Sequence, residues 1–340
     1  MIKNINVLFF GLGSIGQRHV KNLSQILGKK VNFFAYKRHH KNTLLNIKQN
    51  NLKSKLKKQY KIILINDLKK IKDYKIDIVF ITNPSSLHFK SILKLKKFQS
   101  KYLFIEKPLD ANLKYFKKFE KFIKKNKLKT FMGYNLKFHA CVKMIKKVLN
   151  NKNNFGKIQN AEFCYGDNLK NWHKHEDYKI SYAAKKKLGG GIVLSSIHEY
   201  DLMYELFGNA KFIKSYNDHL SSLKIDVEDF SISIFENKFK KNKLISVIKL
   251  NYFQTNKERF IQINFEKGYI YADLVNFKIE MSENKKVKKF SFKKNNNLMY
   301  QDELRYFLDV FRNKKNFSSK FNYLNGFKSL KLALQVKNQI

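Results

Sequence analysis

The sequence predicts an α/β protein with a doubly wound parallel sheet, followed by an α+β domain with a large, mostly antiparallel open sheet. In the first part of the chain, short apolar runs alternate with lysine-rich segments of helical spacing, which is typical of strand–helix units on a parallel sheet. From about residue 158, longer alternating segments indicate antiparallel strands. We place the domains at residues 1–128 and 129–340, because 340 residues are ample for two cores.

The first domain is expected to open with a buried strand at residues 5–10, a nearly continuous apolar run that a glycine follows. A helix comes next, with apolar positions at Ile15, Val20, Leu23 and Leu27. Further strands are predicted at residues 31–36, 62–65, 76–82, 102–105 and 130–134, and helices at 87–98 and 113–125.

The second domain is expected to contain strands at residues 158–165, 210–217, 229–236, 243–252, 259–265 and 269–273. A helix at residues 197–207 interrupts them and ends before Gly208, a common C-terminal stop. The tail is predicted to be helical at residues 301–312 and 324–339, and the basic stretch 285–297 to be a hairpin or loop.

A formal net charge of +44 raises the question of a nucleic-acid partner. Only five of the basic residues are arginine, the usual carrier of specific base contacts, and lysines occur in every segment rather than in one stripe. We therefore expect a lysine-covered surface that adheres to polyanions weakly and in a salt-sensitive way, with no specific nucleic-acid partner.

No segment approaches the roughly eighteen uncharged apolar residues of a membrane span. The first residues run straight into a strand and lack the features of a secretory signal. Cys141 and Cys164 are the only cysteines, too few for a disulfide framework or a thiolate zinc site. We expect a cytoplasmic protein with no membrane partner and no metal.

Gly11, Gly13 and Gly16 form a Gly-x-Gly-x-x-Gly sequence between the first strand and the first helix, the context in which this motif binds a dinucleotide. Gly11 permits the tight turn, Gly13 lets the backbone approach the pyrophosphate, and Gly16 allows close helix–strand packing. Ser14 and Ile15 stand at the positive end of the helix dipole, and we assign them to the same cofactor site.

The end of the second strand bears on the choice between NAD and NADP. An NAD site usually has an acid there for the ribose hydroxyls, and residues 31–41 contain none. Arg38 can fork onto the extra phosphate of NADP while Tyr36 or Lys37 flanks the adenine; the alternative is that these are ordinary surface residues. We expect NADP or NAD, with NADP favoured.

Two segments carry reactive groups. Glu106-Lys107-Pro108 follows an apolar strand, at the sheet edge where ligands bind, so Lys107 can anchor the nicotinamide ribose and donate to a substrate oxygen. His198 follows the glycines at 189–191, and a neutral imidazole exchanges protons well near neutral pH. The alternatives are an ordinary strand end and a core histidine.

The chain resembles the Gfo/Idh/MocA oxidoreductases, a family of nicotinamide-dependent sugar and inositol dehydrogenases and their relatives. The matching stretches occur in family order at residues 11–19 (GLGSIGQRH), 82–88 (TNPSSLH), 106–109 (EKPL), 133–139 (GYNLKFH) and 189–201 (GGGIVLSSIHEYD). The chain looks closest to a branch with a Trp-His-x-x-Glu-Asp-Tyr stretch, here residues 172–178 (WHKHEDY).

The resemblance implies a Rossmann domain and a second domain whose open sheet makes oligomer contacts, so we expect a homodimer or homotetramer. It also implies that Lys107 and His198 flank the substrate and that the peptide bond before Pro108 is cis. From the matching stretches we assign to the cofactor site Thr82, Asn83, Pro84, His88 and Glu106. We assign to the carbohydrate site Asn135, Trp172, His173, Asp177, Tyr178 and Ser195.

One departure from the family concerns the proton path. Many family dehydrogenases have an aspartate about one helical turn before the histidine, where this chain has Leu194 and Ser195. Either the histidine and Lys107 act alone, or Asp177 or Asp201 substitutes, or catalysis has been lost.

The expected function is hydride transfer between NAD(P) and a hydroxyl- or ketone-bearing carbon of a sugar, polyol or sugar nucleotide. Two alternatives stay open: an NAD-dependent glycosidase of the same superfamily, which cycles oxidation and reduction internally, and a non-catalytic protein that senses cofactor or sugar. The missing acid before His198 is the best argument for the second.

Overall fold

The computed structural model describes residues 4–36, 57–97, 100–151, 155–172 and 177–338. The chain divides into two compact units, one of residues 1–133 with 300–327 and the other of residues 134–299 with 328–340. Each unit contains its own sheet. In the described ranges, no helix is both long enough and apolar enough to cross a membrane.

The first unit is built on a six-stranded parallel sheet with the order β3-β2-β1-β4-β5-β6, the doubly wound arrangement that the sequence predicts. Its strands are β1 Ile5–Phe10, β2 Val31–Tyr36, β3 Ile63–Ile65, β4 Ile78–Ile81, β5 Tyr102–Glu106 and β6 Lys129–Gly133. Its helices include α1 Ser14–Leu27, α2 His88–Leu93 and α3 Phe116–Lys125. α2 is shorter than predicted, because the turns on either side of it, Ser85–Leu87 and Lys94–Lys97, are 3₁₀.

Phenylalanines form the centre of this unit. Phe80 stacks on Phe9 with ring centroids 4.9 Å apart and on Phe104 at 4.6 Å. Phe307, from the tail of the chain, packs edge-on against Phe104 at 5.5 Å. β4 and β5 are buried along their whole length, as expected of parallel strands covered on both faces.

The division predicted at residue 128 differs from these units in two places. β6 pairs in parallel with β5, with Phe131 opposite Phe104, so the first sheet extends to Gly133. Residues 300–327 return to the first unit, where the Met132 N–H donates to the Phe321 carbonyl at 2.7 Å. Such a return depends on tertiary packing and leaves no mark in the local sequence pattern.

The second unit contains an eight-stranded sheet with the order β14-β13-β12-β11-β7-β10-β9-β8. The strands are β7 Ile158–Asn168, β8 Ala210–Asp218, β9 Phe230–Phe239, β10 Asn242–Asn251, β11 Phe253–Phe265, β12 Gly268–Asp273, β13 Lys278–Glu283 and β14 Lys286–Ser291. Its helices are α4 Ala140–Asn150, α5 Ile192–Ser195 and α6 His198–Phe207. Two tail helices follow, α7 Asn296–Arg312, which lies mostly in the first unit, and α8 Tyr323–Val336, which is divided between the two units. α6 ends at Gly208, as predicted.

Neighbouring strands of this sheet are antiparallel except β7 and β10. The exception follows from the connectivity: β10 turns directly into β11 and the two lie on either side of β7. Since β11 is antiparallel to β7 and reverses the direction of β10, β10 is parallel to β7. The mostly antiparallel sheet that the sequence predicts is confirmed.

The sequence pattern does not predict β13, and it predicts only a hairpin or loop where β14 lies. The two strands form a hairpin in which Glu283 is opposite Lys286. Asn284 and Lys285 make the two-residue turn with φ of 47° and 67°, a turn whose twist matches that of the strands. β14 is exposed along its whole length and contains three lysines, so no apolar alternation marks it in the sequence.

Candidate active site

The glycine turn between β1 and α1 has the shape that a dinucleotide requires. Gly11 has a φ of +106°, and a Cβ atom there would lie 2.8 Å from the Asn83 backbone. A Cβ atom on Gly16 would lie 2.5 Å from the Gly11 carbonyl oxygen, so α1 packs directly on the turn. A Cβ atom on Gly13 would meet nothing within 4 Å, which leaves open space at the helix N-terminus beside the exposed Ser14. Open backbone at a helix N-terminus is the kind of place where phosphate groups bind.

Other predicted cofactor residues lie at the same edge of the sheet. Tyr36 ends β2 and packs on Phe10, with ring centroids 5.3 Å apart. Thr82 follows β4, and its hydroxyl donates to the Gly11 carbonyl at 2.6 Å. Ile15 is half-buried in the first turn of α1. β1 and β4 are adjacent at the point where the strand order reverses, which is where open α/β sheets bind ligands.

The segment after β4 is fastened to the segment after β5. Pro84 precedes a short 3₁₀ turn that leads into α2, which begins at His88. His88 is buried, with Nε2 2.8 Å from the Asn83 carbonyl oxygen and Nδ1 2.9 Å from the Pro108 carbonyl oxygen. The Asn83 amide donates to Ser91, while its Oδ1 is buried without a partner among the described residues. That oxygen is an acceptor suited to a bound ligand.

Glu106 ends β5, and Lys107 follows it directly. Glu106 is buried, and its Oε1 lies 2.6 Å from Nε2 of the fully buried His19 on α1. The sequence-based assignments give His19 no role, although its place one helical turn after Gly16 is the signal that could have found it. Lys107 is half-buried, and the peptide bond between it and Pro108 is cis, as the resemblance implies.

In the second unit, His198 is the first residue of α6 and is 7% exposed. The Tyr134 ring lies edge-on to the imidazole, with centroids 5.8 Å apart. Burial and the neighbouring Asp201 carboxylate raise the pKa of Tyr134 well above its usual value. The Tyr134 hydroxyl therefore stays protonated near neutral pH, and the predicted catalytic histidine sits beside a neutral aromatic group.

A buried ion-pair cluster fixes α6 below His198. Lys137, in the turn Asn135–Phe138, lies 3.2 Å from Asp201 Oδ1 and 3.0 Å from Glu205 Oε2. Burial alone would raise the pKa of Glu205, but Lys137 and Lys146 outweigh it and hold that pKa below its usual value. Sequence reasoning missed Lys137; Asp201 and Glu205, two acids four residues apart on one face of a helix with many apolar residues, were the signal for a basic partner.

Ser195 and Trp172 converge on Tyr252. The Tyr252 hydroxyl donates to the Ala183 carbonyl at 3.4 Å and interacts with Ser195, and burial raises the pKa of Tyr252 well above its usual value. The Trp172 ring meets Tyr252 edge-on at 5.2 Å, and its indole N–H is buried without a partner among the described residues. An aromatic surface with an unsatisfied donor and neutral hydroxyls is chemistry that suits a carbohydrate.

The remaining predicted substrate residues make contacts of their own elsewhere in the second unit. Asp177 is exposed and accepts from the Lys179 N–H at 3.0 Å, which caps the turn Tyr178–Ile180. The Tyr178 hydroxyl accepts from the Lys224 N–H at 3.4 Å. Asn135 is buried at the start of the turn that holds Lys137.

Two predicted site residues, Arg38 and His173, lie outside the described residues. Within the described ranges, no group of three or more His, Cys, Asp or Glu side chains is placed to hold a metal ion.

A comparison with known protein families found one match, in the first part of the chain. Residues 5–134 match the model of the Gfo/Idh/MocA group, described as an oxidoreductase family with an NAD-binding Rossmann fold. Over these residues the chain is similar to the Gfo/Idh/MocA oxidoreductase family. No curated protein sequence matches it.

Solved structures share the fold of this chain over nearly its whole length. UDP-N-acetylglucosamine 3-dehydrogenase GnnA from Acidithiobacillus ferrooxidans is 14% identical with a TM-score of 0.74, over 99% of this chain and 98% of that one. The WlbA dehydrogenase from Bordetella pertussis, in complex with NADH and UDP-GlcNAcA, is 16% identical with a TM-score of 0.76, over 99% and 96%. A levoglucosan dehydrogenase in complex with NADH is 14% identical with a TM-score of 0.79, over 99% and 97%.

Proposed function

We propose that the chain is an NAD(P)-dependent dehydrogenase or reductase acting on a hydroxyl- or ketone-bearing carbon of a sugar, polyol or sugar nucleotide. One observation carries the proposal: the open space at Gly13 lies at the same sheet edge as the end of β5, which presents Lys107. The similar structures support a carbohydrate substrate, because they are named as dehydrogenases of sugars and nucleotide sugars. A bound nicotinamide supplies the acceptance or donation of hydride.

Each proposed catalytic group has a distinct task. Lys107 donates from its ammonium group to the substrate oxygen and stabilises negative charge that develops there. His198 takes or gives the hydroxyl proton. In place of the aspartate common in the family, Ser195 and Tyr252 offer neutral hydroxyls, and Trp172 offers its ring face and N–H to the sugar.

For the cofactor we propose NADP or NAD, with NADP preferred. The support is the sequence at the end of β2, where Tyr36 is followed by Lys37 and Arg38 and no acid occurs from residue 31 to 41. A guanidinium group binds a 2′-phosphate through two parallel hydrogen bonds.

We also propose a homodimer or homotetramer formed through the sheet of the second unit. Along the first half of β9 the polar side chains are the buried ones. Ser231 and Ser233 are buried, whereas the apolar Phe230, Ile232 and Ile234 lie on the other, more exposed face. Apolar side chains on an open sheet face are typical of an interaction surface. Ile234→Lys should therefore lower the sedimentation coefficient, and an unchanged value would contradict this interface.

The direct test of the activity follows NADH and NADPH absorbance with a panel of sugars, oxo-sugars and nucleotide sugars. On the substrate found, Lys107→Ala and His198→Ala should each lower turnover by about 10²-fold or more. Lys101→Ala is the matched control, because Lys101 is an exposed lysine at the start of the same strand. Wild-type rates in both site variants would remove this mechanism.

Two other outcomes would identify the alternatives. Release of an aglycone without a net change in cofactor absorbance indicates a glycosidase. Tight cofactor binding without turnover on the whole panel indicates a sensor.

A further inference from the structure

We infer that two buried histidines, His19 and His88, form a clamp that positions Lys107 by holding the residues on either side of it. His19 holds Glu106, and His88 holds the carbonyl group of Pro108. That the clamp affects turnover rests on the proposed function. That it positions Lys107 does not.

The His19 arm is closed to water. His19 is fully buried, with the rings of Phe80 and Phe104 at 5.4 Å and 4.8 Å from its own. Its Nε2 meets Glu106 Oε1 at 2.6 Å, and its Nδ1 has no partner among the described residues. The other carboxylate oxygen of Glu106 accepts from the Lys107 backbone N–H at 3.2 Å. A hydrogen-bonded path therefore connects α1 to the Lys107 backbone.

The fit around Glu106 is tight. A Cβ atom on Gly133, the residue opposite Glu106 in β6, would lie 3.2 Å from the carboxylate. Because this side of the carboxylate is filled and its Oε1 is bonded to His19, Glu106 has little freedom to rotate.

The His88 arm depends on two carbonyl acceptors. Nδ1 faces the Pro108 oxygen at 2.9 Å and Nε2 faces the Asn83 oxygen at 2.8 Å. Carbonyl oxygens only accept, so each of these contacts is a hydrogen bond donated by the ring nitrogen that faces the carbonyl. The buried Asp110 carboxyl accepts from the Phe89 N–H at 2.9 Å and interacts electrostatically with His88, and burial raises the pKa of this carboxyl above its usual value.

Lys107 needs such support because its side chain is long and flexible. A displacement of about 1 Å in a catalytic group costs roughly 10²-fold in rate. The competing interpretation is that both histidines are ordinary core residues. A core residue affects stability, but it has no reason to control the reactivity of one particular lysine.

His88 offers a matched pair of variants. His88→Asn keeps a donor near the Nδ1 position, toward Pro108, and loses the bond to Asn83. His88→Gln keeps a donor near the Nε2 position, toward Asn83, and loses the bond to Pro108. The clamp predicts that only His88→Gln releases Lys107.

The readout is competitive labelling of amines with acetic anhydride on the full-length protein, followed by peptide mapping. The other lysines of the chain are internal standards. His88→Gln should change the labelling rate of Lys107 by about three- to tenfold, the factor that corresponds to loss of one hydrogen bond. His88→Asn should leave it close to wild type.

A second pair tests the other arm independently, also if a His88 variant does not fold. His19→Phe fills the space beside Phe80 and Phe104 but removes the donor to Glu106, and it should change Lys107 labelling. His19→Gln restores a donor and should rescue it. Equal effects within both pairs, or unchanged Lys107 labelling in folded His88→Gln and His19→Phe, would overturn the clamp. Selective labelling changes in a protein that turns over no carbohydrate would leave the clamp standing and reject the proposed function.

Discussion

Lys137 donates to Asp201 across 3.2 Å and so joins the turn after β6 to α6 one helical turn beyond His198. Both side chains are 1% exposed, as is that of Glu205, the second acid bound by this lysine. Removing one member of a buried ion cluster leaves the others uncompensated, which costs more than the cluster itself contributes. The cluster thus ties the position of His198 to the integrity of one lysine.

Replacing that lysine should be strongly destabilising. Lys137→Met leaves two buried carboxylates without their shared cation, and we expect a loss of about 3–5 kcal/mol in the free energy of unfolding. Lys146→Met is the control, because Lys146 also binds Glu205 but its side chain is 30% exposed. Urea denaturation measures both, and equal losses would contradict the assigned role of burial.

His139 should make the free energy of unfolding depend on pH. Burial lowers the pKa of His139 from 6.5 to about 4, while its Nε2 faces the Leu274 carbonyl and its Nδ1 accepts from the Cys141 N–H. In the unfolded chain the His139 imidazole therefore becomes protonated near pH 6.5, whereas in the folded chain it becomes protonated only near pH 4. The contribution of His139 to the free energy of unfolding is complete above the pKa of the unfolded chain. It decreases, by up to about 3 kcal/mol, as the pH falls from that pKa to the pKa of the folded chain.

The variant His139→Asn isolates this effect. Asparagine keeps an acceptor for the Cys141 N–H at the start of α4 and does not titrate. The difference in urea midpoint between wild type and variant should shrink steadily from pH 7 to pH 4.5. A constant difference would show that His139 is not held neutral.

Much of the first unit is predictable from the sequence, because each buried parallel strand is a short apolar run that ends at a glycine or a turn. β1 with Gly11, and β5 with Lys107, are read directly in this way. The clamp cannot be predicted in this way, since His19 and Glu106 are 87 residues apart in the sequence and only the fold brings them together. Lys137 is hidden for another reason: among so many surface lysines, nothing local marks it as buried.

Both cysteines should resist thiol reagents while the protein is folded. Burial raises the pKa of Cys141 to about 12 and also raises that of Cys164, whose thiol lies beside Glu258. The reactive species is the thiolate, so neither thiol is reactive at neutral pH. Ellman's reagent should react with both only on the timescale of unfolding in urea. Rapid modification of the native protein would show that one of the two sites opens.

Arg38 should set the cofactor preference. Arg38→Ala removes the proposed contact to the 2′-phosphate, and a hydrogen bond to a charged group is worth about 1.5–3 kcal/mol. We expect kcat/KM with NADPH to fall about 10- to 100-fold, with the value for NADH little changed. Lys37→Ala, the neighbouring cation, is the control. Equal losses with both cofactors, or equal effects of the two variants, would assign Arg38 to general surface charge.

Ser195 offers a test of the missing acid. It is buried, interacts with Tyr252, and stands three residues before His198, where many dehydrogenases of the family that the chain resembles carry aspartate. Ser195→Asp adds a negative charge that favours a protonated imidazole, so the acid limb of the kcat/KM profile should move to higher pH by about one unit. Ser195→Asn has a similar shape without the charge and should leave the limb in place. A shift with both variants would trace the effect to packing, and no shift with Ser195→Asp would mean that His198 is not the group whose proton limits the rate.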